Sequence, residues 1–219
     1  AGRGFLPVAL QPGAFELSYP PADSLVVNID SSFTPDHGIS LTGSLGEQLL
    51  LWEVATAALG ALMRINPFDQ PDVEAAKIAA HAVLSQEVES LAEHSLVVEA
   101  DLVNRLRQGL PTNGFVAIQA FVDPDSPQGT SVVQLREDLA RELGAPVALG
   151  WGPRYLHSTG QLHKGGPALG VFLQVVDSSA EDILLPDGEN GLVELLRAQA
   201  SGDRKVLESR GRAVLVTTT

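Results

Sequence analysis

The chain has 219 residues, 44% of them hydrophobic, which is enough for a sizeable core and too apolar for an unfolded segment. Its net charge is −13, from 14 Lys and Arg against 27 Asp and Glu; this argues against a nucleic-acid surface but leaves room for one local cationic pocket. Cysteine is absent, so disulfides, thiolate chemistry and Cys-type zinc sites are excluded.

Residues 1–37 are rich in Gly, Pro and Ser and contain one strand-like run, Ser24-Leu25-Val26-Val27-Asn28-Ile29. A loop over 38–43 leads into a long apolar helix over 45–64, with Ser44 and Glu47 at capping-box spacing. The hydroxyls of this loop offer two readings, a helix cap or a phosphate on the helix amides, and the cap explains the same residues without a ligand. A second helix runs from Pro71 to about Glu89, and an amphipathic one covers 94–109. Alternation follows: a strand over 115–122, a helix over 132–143 stopped by Gly144, and a short strand over 146–149. A strand over 171–176, a helix over 191–209 closed by Gly211 and a strand over 213–217 complete it. Strands separated by helices require crossover connections. The expected fold is therefore α/β and three-layered, with a mainly parallel sheet and helices on both faces, in a single domain over 1–219. Nothing reads as a signal peptide or a membrane span, so the expected location is cytoplasmic. The chain opens Ala1-Gly2-Arg3 and its one methionine is Met63, which reads as a piece of a longer protein.

The run Ile65-Asn66-Pro67-Phe68-Asp69-Gln70-Pro71-Asp72-Val73-Glu74-Ala75-Ala76-Lys77 is a turn followed by a helix. Pro71 suits the first helical turn, and Asp69 before it can cap free amides. At helical spacing Lys77 shares a stripe with Val73, Ala80 and Leu84, so it either snorkels along a packed surface or points into a cavity. The wording of this run resembles the signature near the C-terminal end of bacterial phosphoglucose isomerases, as does the lead-in Leu51-Trp52-Glu53-Val54-Ala55-Thr56-Ala57. The resemblance implies that Lys77 enters the active site, contacts the sugar phosphate and assists ring opening.

A second cluster lies between two expected strands: Trp151-Gly152-Pro153-Arg154-Tyr155-Leu156-His157-Ser158-Thr159-Gly160-Gln161-Leu162-His163-Lys164-Gly165-Gly166-Pro167. It begins at the carboxyl end of a strand, where open parallel sheets bind ligands. Arg154 and Lys164 offer charge to a phosphate, and Ser158, Thr159 and the Gly160 amide offer hydrogen bonds. His157 or His163 can move a proton near neutral pH. The plain alternative is that Ser158 and Thr159 cap a short helix while the glycines turn and the charges are solvated. The two histidines do not share a helical face and lack a third ligand, so no metal site is expected. Gly150 and Gly152 do not form a dinucleotide fingerprint.

From Leu156 to Pro167 the segment is very similar to a run in the isomerase half of bifunctional transaldolase/phosphoglucose isomerases. The tail agrees at Leu185-Pro186-Asp187-Gly188, at Leu196-Arg197-Ala198-Gln199-Ala200-Ser201-Gly202-Asp203 and at Arg210-Gly211-Arg212. The resemblance implies a sugar-isomerase (SIS) type of domain and interconversion of glucose 6-phosphate and fructose 6-phosphate through an enediolate, at a site that this chain does not complete without an upstream domain. Lys77 would be catalytic by this resemblance; on local chemistry His157 is the candidate for proton work and Arg154, Ser158, Thr159, Gln161 and Lys164 are candidates for substrate contact, and no cofactor is implied. The partners implied are a phosphosugar, an upstream isomerase domain and a fused transaldolase, with a homodimer also admitted; no nucleic acid or membrane is expected. Two departures stand out. Ordinary members carry their Leu-His-Ser-x-Gly-Gln run upstream of the lysine helix, not downstream, and the family's glutamate base has no assigned counterpart. Glu53 and Glu74 both fit as helix residues. Two other classes of function therefore stand beside the isomerase: a phosphosugar sensor without turnover, and a structural half-domain that docks on a partner domain.

Overall fold

A computed structural model describes residues 4–29, 38–69, 71–84, 100–178, 181–184 and 191–219. Internal contacts divide the chain, which the sequence reads as one domain, into two compact units: Pro12–Gln70, and Ala1–Gln11 with Pro71–Thr219.

In the smaller unit a short helix α1 (Phe15–Ser18) precedes strands β1 (Val26–Ile29) and β2 (Gly38–Leu41). The two strands pair in parallel, Val26 opposite Gly38 and Ile29 opposite Leu41. Residues 38–41, expected as loop, are thus strand: Ile39 and Leu41 alternate with Gly38 and Ser40, and their pairing partner lies elsewhere in the sequence. Helix α2 (Leu45–Met63) starts at a complete capping box. The Ser44 N–H donates to Glu47 Oε2 at 2.7 Å, and the Glu47 N–H donates back to Ser44 Oγ. The Ser44 N–H first, and then the Ser44 hydroxyl, which donates to the same oxygen at 2.8 Å, hold the Glu47 carboxyl below its usual range. The loop hydroxyl is therefore a cap. Arg64 ends α2 in the left-handed region, φ 55°. The following turn is built by Asn66, whose Oδ1 accepts the Phe68 N–H at 3.1 Å.

The larger unit holds α3 (Pro71–Leu84), α4 (Ala100–Gly109), β3 (Phe115–Phe121), α5 (Pro127–Leu143), β4 (Val147–Trp151), α6 (Gly160–Gly165), β5 (Gly170–Val176), α7 (Leu192–Ser209) and β6 (Ala213–Thr218). The expected helix end near Glu89, the helix start near His94, the side chains of Val73 and Leu84, and the run 185–188 lie outside the described residues. Strand order is β4-β3-β5-β6 and every pair is parallel. This is the α/β architecture that strand–helix alternation predicts. The inner strands β3 and β5 are buried along almost their whole length, as near-continuous apolar runs require.

Successive strand residues face opposite ways. Ala117, Phe172 and Leu207 of α7 form one cluster on the face that α7 covers. Val171, next along β5, points to the other face, and a β-carbon at Gly109 of α4 would lie 3.4 Å from it. On that second face α4 is tied to α5 by the Arg107 guanidinium, which donates to the Glu142 carbonyl at 2.7 Å. Helix α3 packs outside, on α7 and α6. Helix α5 begins at Ser126, whose hydroxyl accepts the Gly129 N–H at 3.0 Å, with Pro127 next; the expected start at 132 missed this turn. Gly144 and Gly211 take φ of 60° and 70°, the left-handed stops that the sequence predicts. The order β4-β3-β5-β6 means that the chain winds outward one way through α5, then crosses back over β3 and winds the other way. The reversal point, where such sheets open a crevice, lies between the carboxyl ends of β3 and β5. Among the described residues no helix is long and apolar enough to cross a membrane.

Candidate functional site

The segment between β4 and β5 packs its own side chains against the carboxyl ends of β3 and β5, Tyr155 and Leu156 clustering with Phe121 and Val176. A 3-10 turn, Arg154–His157, comes first. Tyr155 packs edge-on against Phe121 at the end of β3, with ring centroids 5.8 Å apart. Its buried hydroxyl donates to Asp203 Oδ2 of α7 at 2.7 Å. Burial first, then the Asp203 charge, pushes the phenol well above its usual pKa. The Lys164 ammonium forms an ion pair with the other Asp203 oxygen, and both side chains are fully enclosed. Lys164 Nζ also donates to the Gly160 carbonyl at 3.2 Å.

His163 completes this buried group. Gln119 Nε2, on β3, lies 3.3 Å from its Nδ1; with the carboxamide as donor the ring proton sits on Nε2. The ring makes tilted contacts with Tyr155 and Phe172, with centroids 5.8 and 5.2 Å away. Burial first, then the Lys164 charge, lowers its pKa to about 3, so it is neutral at physiological pH. His163 is therefore no proton carrier there.

A second polar group joins this segment to α3. Gln161 Oε1 accepts the Asp72 N–H at 3.0 Å, and Gln161 Nε2 donates to Asp72 Oδ2 at 2.7 Å. Arg210, the residue after α7, is ion-paired with the other Asp72 oxygen. The Arg212 guanidinium donates to the Lys164 and Gly166 carbonyls at 2.9 and 2.7 Å. Gly165 sits hard against the Asp72–Gln161 contact: a β-carbon there would lie 2.6 Å from Gln161 Nε2 and 2.7 Å from Asp72 Oδ2.

The residues that the sequence offers for chemistry thus separate. Lys77 is on the exposed side of α3, 3.6 Å from Glu74, its side chain 56% exposed. Arg154, His157 and Ser158 are exposed and Thr159 is half-buried. Thr159 occupies the cap position of α6 without a side-chain cap bond, and the Ser158 hydroxyl donates instead to the Tyr155 carbonyl at 3.3 Å. Gln161 is engaged by Asp72. Lys164, offered as a phosphate cation, has its charge compensated inside the protein by Asp203. Among the described residues no cluster of three or more His, Asp or Glu is arranged for a metal ion.

No protein-family model matches the chain. No curated protein matches it. Among solved structures it is similar to a hypothetical protein from Thermus thermophilus, at 21% identity and a TM-score of 0.44, over 68% of this chain and 39% of that one. The chain spans about two fifths of that protein's length.

Sequence reasoning passed over Gln119, Asp72, Asp203 and Arg210. Two signals were available. Gln119 and Gln174 each interrupt an apolar strand run, which marks a buried polar group in need of a partner. They are register neighbours; Gln119 meets His163, and Gln174 Nε2 donates to the Ala200 carbonyl of α7 at 3.0 Å.

Proposed function

We propose that the chain is the C-terminal part of a glucose-6-phosphate isomerase, interconverting glucose 6-phosphate and fructose 6-phosphate through an enediolate. The observation that carries this reading is the Gln161–Asp72 pair. Through it, the residues matching the family's two long runs meet within one unit, although they are far apart in sequence. The reaction needs a cation near the developing oxyanion, proton transfer at the ring oxygen and an anchor for the phosphate. Lys77 is the cation in this reading, His157 the proton donor, and Arg154, Ser158 and Thr159 the phosphate contacts. All five remain at least partly accessible, whereas Lys164 is withdrawn from substrate and serves the core. The sugar-isomerase type of fold belongs to the same proposal.

The test is a coupled assay of fructose 6-phosphate conversion by the chain and by Lys77→Ala. Turnover is expected, with kcat lowered on the order of 100-fold in the variant. Equal rates in both proteins would remove Lys77 from the site. No rate in either would mean a half-site fragment or a sensor, and the same assay on the longer parent protein separates the two. A further reading, the structural half-domain, is favoured by α2, where Leu45, Leu50 and Leu62 are 75%, 62% and 81% exposed. It requires that Lys77→Ala leave every ligand readout unchanged.

A further inference from the structure

We infer that Asp72 is a positioning residue that sets the helix carrying Lys77, and that Gln161 acts through Asp72 and not on a substrate. The inference deepens the isomerase reading and rests on it for the role of Lys77. Asp72 is 4% exposed although it lies in the first turn of a helix at the unit's surface. Its three polar contacts come from two other elements. Gln161 of α6 takes its N–H and one carboxylate oxygen, and Arg210 at the end of α7 takes the other oxygen. Lys77 lies about a turn and a half farther along α3. A helix held at its first turn by three directional bonds has its azimuth fixed, and with it the direction in which the Lys77 side chain leaves. Gly165 supports the same role, because the space where its side chain would be is occupied by the Asp72–Gln161 bond.

Donor and acceptor roles make the clamp reversible on paper. Asp72→Asn cannot satisfy both neighbours: its amide nitrogen faces either Gln161 Nε2 or the Arg210 guanidinium, donor against donor. Gln161→Glu sets a carboxylate against the Asp72 carboxylate. In the double variant Asp72→Asn, Gln161→Glu every bond returns, the one between the two side chains with its direction reversed. The carboxylate oxygens introduced at position 161 accept the backbone N–H and the new side-chain amide of position 72. Arg210 then donates to the carbonyl oxygen of that amide. The total charge is unchanged.

The experiment measures kcat, KM and amide hydrogen exchange over 71–80 in the chain, both single variants and the double variant. Each single variant is expected to lower kcat at least 10-fold with KM changed less than 3-fold. First-turn exchange in α3 should rise at least 10-fold, while the sheet amides stay protected. The double variant should recover both readouts to within 3-fold of the parent. A KM that rises at constant kcat in Gln161→Glu would place Gln161 on the substrate and overturn the inference. So would unchanged α3 exchange in Asp72→Asn, or a double variant no better than the singles. If neither the chain nor its longer parent protein shows turnover, the isomerase reading fails on its own, and the exchange pattern still decides whether Asp72 is the clamp.

Discussion

Lys164, Asp203 and Tyr155 form a buried charged group, and the cost of removing one member depends on what it leaves behind. Asp203→Ala strands a buried ammonium and a buried phenol, and a loss of about 3–5 kcal/mol is expected. Replacing all three, Lys164→Met with Asp203→Leu and Tyr155→Phe, leaves no orphan and should cost less than the single change. Urea unfolding of the two proteins checks the order; a triple variant weaker than Asp203→Ala would show that the network itself stabilises the fold. His163 gives the acid limb of stability. An unfolded histidine titrates near pH 6.5, and the folded ring only at about 3. The unfolded chain therefore binds the extra proton first. The contribution is present in full above pH 6.5 and is lost as the pH falls toward 3. From this residue, stability should drop on the order of 2 kcal/mol between pH 6.5 and 5, and His163→Phe should flatten that slope. Identical slopes in the two proteins would rule out a neutral buried His163.

Elements were legible where the signal is local. The capping box of α2, the glycine stops of α5 and α7 and the apolar runs of β3 and β5 all need only neighbouring residues, and each appears where the sequence puts it. What failed needs distant partners or competing local rules. Strand β2 is four residues that become a strand only beside β1. The first five residues of α5 include Gly129, Thr130 and Ser131, poor helix formers that mask the Ser126–Pro127 start. The place of the second cluster at a strand end was legible, and the burial of its side chains was not. The segment 151–167 does converge on a strand end, but its polar residues divide by burial, which no spacing rule reports. Lys164 and His163 went inward because Asp203 and Gln119 were there to meet them. Arg154 and His157 stayed out.

At the scale of the molecule, the larger unit is built from two separated stretches of chain, with Pro12–Gln70 between them. All four strands of its sheet and the helices on both faces belong to that unit. A protein lacking residues 12–70 is therefore expected to keep the native sheet, seen as dispersed amide resonances and a cooperative thermal transition. A non-cooperative, molten product would show that the division is one of geometry and not of folding.

The first of those stretches has a further consequence. Gly4 lies so close to Leu162 that a side chain at position 4 would collide with it. During synthesis, at about 5–20 residues per second, Leu162 follows Gly4 from the ribosome by on the order of 10–30 s. The leading segment is thus made early and docked late. For that interval its half-buried residues, Leu6, Val8 and Leu10, have no native surface to cover them.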